Sequence, residues 1–152
     1  MSKKFSQKLY DQNDLKTKEL VYKFLSLYFP CYKLIPIADQ EECYKSHDLV
    51  IIDTRTNKQV LLEVERKAVW YKRGEWQGWD TVDIPYRKKD SKAKYFFMVN
   101  KWFDTLPVIK MSKILESSVI TKSTIYTQEE KFFRIPVSEF KLVCLPSELH
   151  GS

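Results

Sequence analysis

Two short runs of apolar, often β-branched residues, Asp48-Leu49-Val50-Ile51-Ile52 and Val60-Leu61-Leu62-Glu63-Val64-Glu65, flank the polar stretch Thr54-Arg55-Thr56-Asn57. Such a pattern predicts a β-hairpin. It constrains the fold strongly, because a slip of one residue would send every side chain to the wrong face of the sheet. Folding about the Arg55–Thr56 midpoint sets Val50 opposite Leu61 and Asp48 opposite Glu63, with opposed Cβ atoms roughly 5 Å apart. Strand alternation adds Glu65 to the face of Glu63, and Lys67 as well if the strand continues. Three carboxylates at the end of an apolar hairpin repel one another unless a cation lies between them, and a divalent metal fits that need. A hairpin whose acids simply emerge into water would carry the same letters, since strand ends are often charged. The convergence of Asp48, Glu63 and Glu65, with cations directly following, favours the metal site.

The chain of 152 residues fits a single domain, 1–152, with a sizeable core. Its hydrophobic content of 43% and aromatic content of 14% exclude a disordered chain. A net charge of +6 points to an anionic partner, nucleic acid ahead of a membrane surface. Cys31, Cys43 and Cys144 are widely spaced with no Cys-x-x-Cys pair, which excludes a zinc ribbon and fits a reducing compartment. No run reaches transmembrane length and the start Met-Ser-Lys-Lys-Phe has no signal-peptide character, so a cytoplasmic protein without a membrane partner is expected. Gly-rich phosphate loops, Gly-x-Ser-x-Gly and His-Glu-x-x-His are absent, which sets aside kinases, α/β-hydrolases and zincins.

Along the chain, Asp11–Phe29 reads as a helix with an apolar stripe of Leu15, Leu20, Phe24, Leu27 and Tyr28, ended by Pro30. A strand over 32–37 and an acidic turn at 39–42 lead to the hairpin. Short extended pieces follow at 81–86 and 95–100, then an edge strand at 105–109 carrying Pro107, a short helix at 111–116, and closing strands at 132–137 and 140–145. This order predicts an α/β domain with a mixed central sheet flanked by helices.

The order of elements and the acidic hairpin resemble the PD-(D/E)XK nuclease superfamily over roughly the first two-thirds of the chain. In that family an Asp begins one strand of a hairpin and Glu-x-Lys closes the other; Asp48 and Glu63 occupy those places. Glu65 stands where the lysine would be, a Glu-x-Glu variant, which leaves the lysine's role to Lys67 or to Lys88. A shifted register using Glu65-Arg66-Lys67 as Glu-x-Lys is the alternative. A glutamate on the first helix matches at Glu19, although Lys16, Lys18 and Lys23 around it also suit a plain charged surface. The resemblance implies a restriction-endonuclease-like fold and a DNA endonuclease using Mg²⁺, or Mn²⁺ in its place. Asp48, Glu63, Glu65 and Glu19 would be the metal set, with Asp48, Glu63, Glu65, Lys67 and Lys88 catalytic, and cleavage would leave a 5′-phosphate. Nucleases that cut both strands are often dimers, so a homodimer is a further expectation.

The segment 68–80 interleaves Trp70, Tyr71, Trp76 and Trp79 with Lys72 and Arg73, and Arg87-Lys88-Lys89 follows shortly after. Aromatic rings stack on unpaired bases and cations hold phosphates, so Lys72, Arg73, Trp76, Arg87, Lys88 and Lys89 are the candidate nucleic-acid contacts. Rings that cover the sheet instead would look the same in sequence, and Trp79 is the one expected in the core. Two rival functions remain open from sequence: a DNA-binding relative that has lost cleavage, and a regulatory interaction protein with no nucleic-acid contact.

Overall fold

A computed structural model describes residues 7–35, 49–67, 70, 72–123 and 129–144, with side chains of the first helix described from residue 15 onward. The protein is mixed α/β and mostly sheet. Helix α1 (Gln7–Tyr28) is followed by β1 (Tyr32–Leu34), β2 (Leu49–Asp53) and β3 (Lys58–Lys67). Next come β4 (Thr81–Pro85), a 3-10 turn (Tyr86–Asp90), β5 (Tyr95–Asn100), β6 (Thr105–Lys110) and the short helix α2 (Met111–Leu115). Strands β7 (Ser118–Lys122), β8 (Glu130–Pro136) and β9 (Lys141–Cys144) complete the described chain. Six strands form a mixed sheet in the order β1-β2-β3-β5-β6-β9, and three form a second sheet, β4-β8-β7.

The hairpin register is the expected one: Val50 pairs with Leu61 and Leu49 with Leu62. Asp48 lies outside the described residues, as do the acidic turn at 39–42 and the expected end of the strand at 36–37. Among the described residues of the mixed sheet only β3 and β5 pair in parallel, with Glu63 beside Phe96, Glu65 beside Met98 and Lys67 beside Asn100.

Each face of the mixed sheet has its own core. On one face α1 packs Leu20, Val21, Phe24 and Leu25 against Leu49, Ile51, Val60, Leu62, Phe97, Val99 and Leu106. The buried stripe, which includes Thr17, repeats at three-to-four spacing and lies to one side of the expected one. Leu15, Leu27 and Tyr28, expected inside, are about half exposed, at 46%, 52% and 47%. On the other face Phe96, Met98 and Ile109 meet Val82, Ile84, Phe133 and Ile135 of the second sheet, with Met111 and Ile114 of α2. Of the expected sheet flanked by helices, α1 covers one face, while the other is covered mainly by a sheet. Pro107 is also not on an edge strand, because β6 runs between β5 and β9. A proline has no N–H to give, and the ladder to β5 reaches only as far as Val108, while pairing to β9 continues from Thr105 to Val108.

Candidate functional site

Strand β3 alternates sharply. Val60 and Leu62 point into the α1 core, whereas Glu63, between Leu62 and Val64, points to the other face and is only 2% exposed. Burying a carboxylate is costly unless it is paired and hydrogen-bonded. The connection from β4 to β5 supplies both partners. Lys88 Nζ, on the 3-10 turn, donates to Glu63 Oε2 at 3.0 Å, and Ser91 Oγ donates to Glu63 Oε1 at 2.9 Å. Ser91 is itself fixed, its Oγ accepting the Ala93 N–H at 3.2 Å, and Lys94 N–H donates to the Leu61 carbonyl at 2.7 Å. The basic run after β4 is thereby brought back onto the hairpin, as the sequence suggested for Lys88. Ser91 was not foreseen; its local signal was that of a turn residue bonding two positions ahead.

Farther along the same face, Lys67 Nζ pairs with Glu65 Oε1 at 3.0 Å. Lys67 is therefore engaged with Glu65, and Lys88 with Glu63. Glu19 is exposed on α1, and α1 packs on the face opposite Glu63, so the structure does not bring Glu19 to the other acids. Among the described residues no cluster of three or more His, Cys, Asp or Glu side chains could hold a metal ion.

Beyond Lys67 the same face carries a buried polar network. Asp104, 4% exposed, accepts from Asn100 Nδ2 at 2.6 Å, Thr105 Oγ1 at 2.9 Å and Gly74 N at 3.2 Å. Asn100 Oδ1 accepts the backbone N–H groups of Asp104 and Thr105, and its Nδ2 also donates to the Lys72 carbonyl at 3.1 Å. These bonds fasten the aromatic loop to the end of β5. Gly74 turns that loop with φ 67°, a conformation glycine adopts without strain.

The tryptophans of the loop pack inward. Trp70 is fully buried, with its Nε1 donating to the Glu75 carbonyl at 3.1 Å. Trp76, expected as a nucleic-acid contact, is half-buried. Its ring lies 5.2 Å from Trp70 and 5.9 Å from Phe140, and its Nε1 donates to the Trp79 carbonyl at 2.8 Å. Trp79, expected in the core, is half-buried at the edge of this cluster. The cations of the segment stay outside: Lys72 sits 3.8 Å from Glu75, and Arg73 stacks over Trp102 at 4.0 Å. Arg87 is exposed, and Lys89 lies 4.8 Å above the Tyr86 ring, which Lys131 approaches at 5.8 Å.

On the second sheet, Asp83 takes two bonds from Arg134 at 3.0 Å and one from Lys122 at 2.7 Å. The Arg134 hydrogen bonds, with help from Lys122, hold the Asp83 carboxyl below the usual carboxylate range. Compared with protein-family models, curated proteins and solved structures, the chain matches none. No helix among the described residues is long and apolar enough to cross a membrane.

Proposed function

We propose that this protein is a metal-dependent DNA endonuclease of restriction-endonuclease-like fold, working on the Glu63 face of β3. The observation that carries the reading is a buried glutamate held by Lys88 and Ser91 on a hairpin that sets Val50 opposite Leu61. By the sequence symmetry of the hairpin, Asp48 would stand opposite Glu63. Asp48, Glu63 and Glu65 would then offer the hard carboxylate oxygens that Mg²⁺ or Mn²⁺ prefers. When bound, such an ion supplies Lewis acidity and lowers the pKa of a water at the phosphodiester. The chain's own groups do the rest. Lys88 brings positive charge beside Glu63, where a scissile phosphate gathers negative charge. Ser91 holds the second carboxylate oxygen so that Glu63 keeps one orientation, and Lys67 steadies Glu65. Glu19, on the far face, is left out of this set.

A second reading, a DNA-binding protein on the same fold that does not cut, is favoured by one observation: both Glu63 oxygens and one Glu65 oxygen already have partners within the chain. Incubation with supercoiled, single-stranded, nicked and branched DNA plus Mg²⁺ or Mn²⁺ separates the two. The nuclease reading expects cleavage by the parent, and its loss in Asp48→Ala and Glu63→Gln with DNA binding retained. A parent that shifts these DNAs without cutting them supports the second reading.

A further inference from the structure

At the end of β3 and β5, two neighbouring rings carry four cations that are far apart in sequence. Lys16 Nζ lies 4.4 Å and the Arg66 guanidinium 5.0 Å from the centre of the Phe103 ring. The Arg73 guanidinium lies 4.0 Å and Lys101 Nζ 5.2 Å from the centre of the Trp102 ring. Among the described residues Arg66 and Arg73 have ring partners and no carboxylate partner. A ring attracts a cation through its face without using an N–H donor, so the exposed Arg73 guanidinium keeps its charge and its hydrogen-bonding fork for an anion.

Arg66 gives the second, independent sign. One terminal nitrogen donates to the Lys101 carbonyl at 3.3 Å, while its Nε is buried with no hydrogen-bond partner. Burial pulls its pKa below the ordinary value for an arginine. The loop that joins β5 to β6 is held in place. Phe103 adopts φ 58°, unusual for a residue with a side chain, while its N–H bonds to the Asn100 carbonyl and Asn100 Oδ1 clamps the two residues after it.

We propose that Arg73 and Lys101 over the Trp102 ring, with Arg66 and Lys16 over the Phe103 ring that follows it, form a clamp for the sugar-phosphate backbone of nucleic acid. Arg66 belongs to the α1 face of β3, opposite the face of Glu65 and Lys67. The proposal rests on the nucleic-acid part of the reading above and not on cleavage. A backbone suits the patch better than a small anion because the cations are spread over two rings, and planar guanidinium forks match phosphate oxygens.

The test is fluorescence-anisotropy titration of a labelled 20-base-pair duplex and the corresponding single strand, without divalent metal, across a range of salt. The proteins are the parent, Arg73→Gln/Lys101→Gln, and Arg66→Gln, each checked for folding by thermal melting. For the duplex, each lost phosphate contact lowers the slope of log K against log salt by about 0.9, so the double variant should lose about 1.8. Its affinity should fall at least about tenfold at low salt. The two surface substitutions keep the proposal testable if Arg66→Gln fails to fold. Unchanged slope and affinity in the double variant overturn the clamp, as does a parent that binds neither DNA. Displacement by polyglutamate as effective as by unlabelled duplex at equal charge would also overturn it, marking the patch as a general polyanion site. A parent that binds through the patch but never cuts with Mg²⁺ leaves the clamp standing and removes the nuclease reading. A parent that cuts, with variants that bind and cut as it does, has the opposite meaning.

Discussion

The two faces of strand β3 are built on different terms. Toward α1, β3 presents Val60 and Leu62 to a core made almost wholly of carbon. Toward the second sheet it presents Glu63, followed along the same face by the Glu65–Lys67 pair and the Asn100–Asp104–Thr105 network. A carbon core stabilises a fold with few conditions, whereas buried polar groups repay their desolvation only when every partner is present. Val60 and Leu62 thus carry stability on one side of β3 and Glu63, Glu65 and Lys67 are positioned charges on the other, with Arg66 over the Phe103 ring on the α1 side. Charges kept at that cost are candidates for function.

This contrast can be broken from either side. The largest loss should come from Leu62→Ala, which empties a fully buried site and costs about 2–5 kcal/mol at any pH, read by denaturant unfolding. On the polar face, Asp104→Ala orphans the donors of Asn100, Thr105 and Gly74 and should cost about 3 kcal/mol. Since Gly74 is one of those donors, the same variant should release the aromatic loop and speed tryptic cleavage at Arg73. Lys88→Ala leaves Glu63 with Ser91 alone. It should cost about 2 kcal/mol, below the range for a fully enclosed pair because the Lys88 side chain is 25% exposed.

The smallest effect belongs to Asp83→Asn. Its carboxyl is held low in the folded state, so the stability it contributes is present above its unfolded pKa and is lost as pH falls through the lower folded value. The parent should therefore lose stability below about pH 4 more steeply than Asp83→Asn. Above that range the difference should be no more than about 1 kcal/mol, since Arg134 and Lys122 are each 44% exposed and water screens the pair. A urea-unfolding series between acid and neutral pH reads this directly.

What could be read from sequence followed the range of the interaction. The Val50–Leu61 register was legible because a symmetric polar turn and two apolar runs fix it locally. The buried stripe of α1 was misplaced, since Leu27 and Tyr28 carry the same apolar letters as Phe24 and Leu25 yet lie half open. The second sheet left little trace. Ser118–Lys122 is mostly exposed and shows no burial alternation, and β4 pairs with β8 across some fifty residues, as in Asp83 with Arg134. The site divides in the same way. Glu65 and Lys67 could be assigned to the face of Glu63 by alternation alone, whereas Ser91 and Lys88 reach Glu63 only through the tertiary turn after β4. Trp76 was read as a contact because interleaved aromatic and basic letters do not reveal which rings turn inward.

Replacing Glu63 and Lys88 together tests most directly whether the polar face exists for chemistry rather than for stability. An apolar pair of similar volume in place of a buried ion pair is often neutral or stabilising by about 1–4 kcal/mol. Measured on one preparation by thermal melting and by Mg²⁺-dependent nicking of supercoiled DNA, Glu63→Leu/Lys88→Met should melt at or above the parent and should not nick. A double variant that nicks DNA at the parental rate, or one that melts far below the parent, would contradict that account.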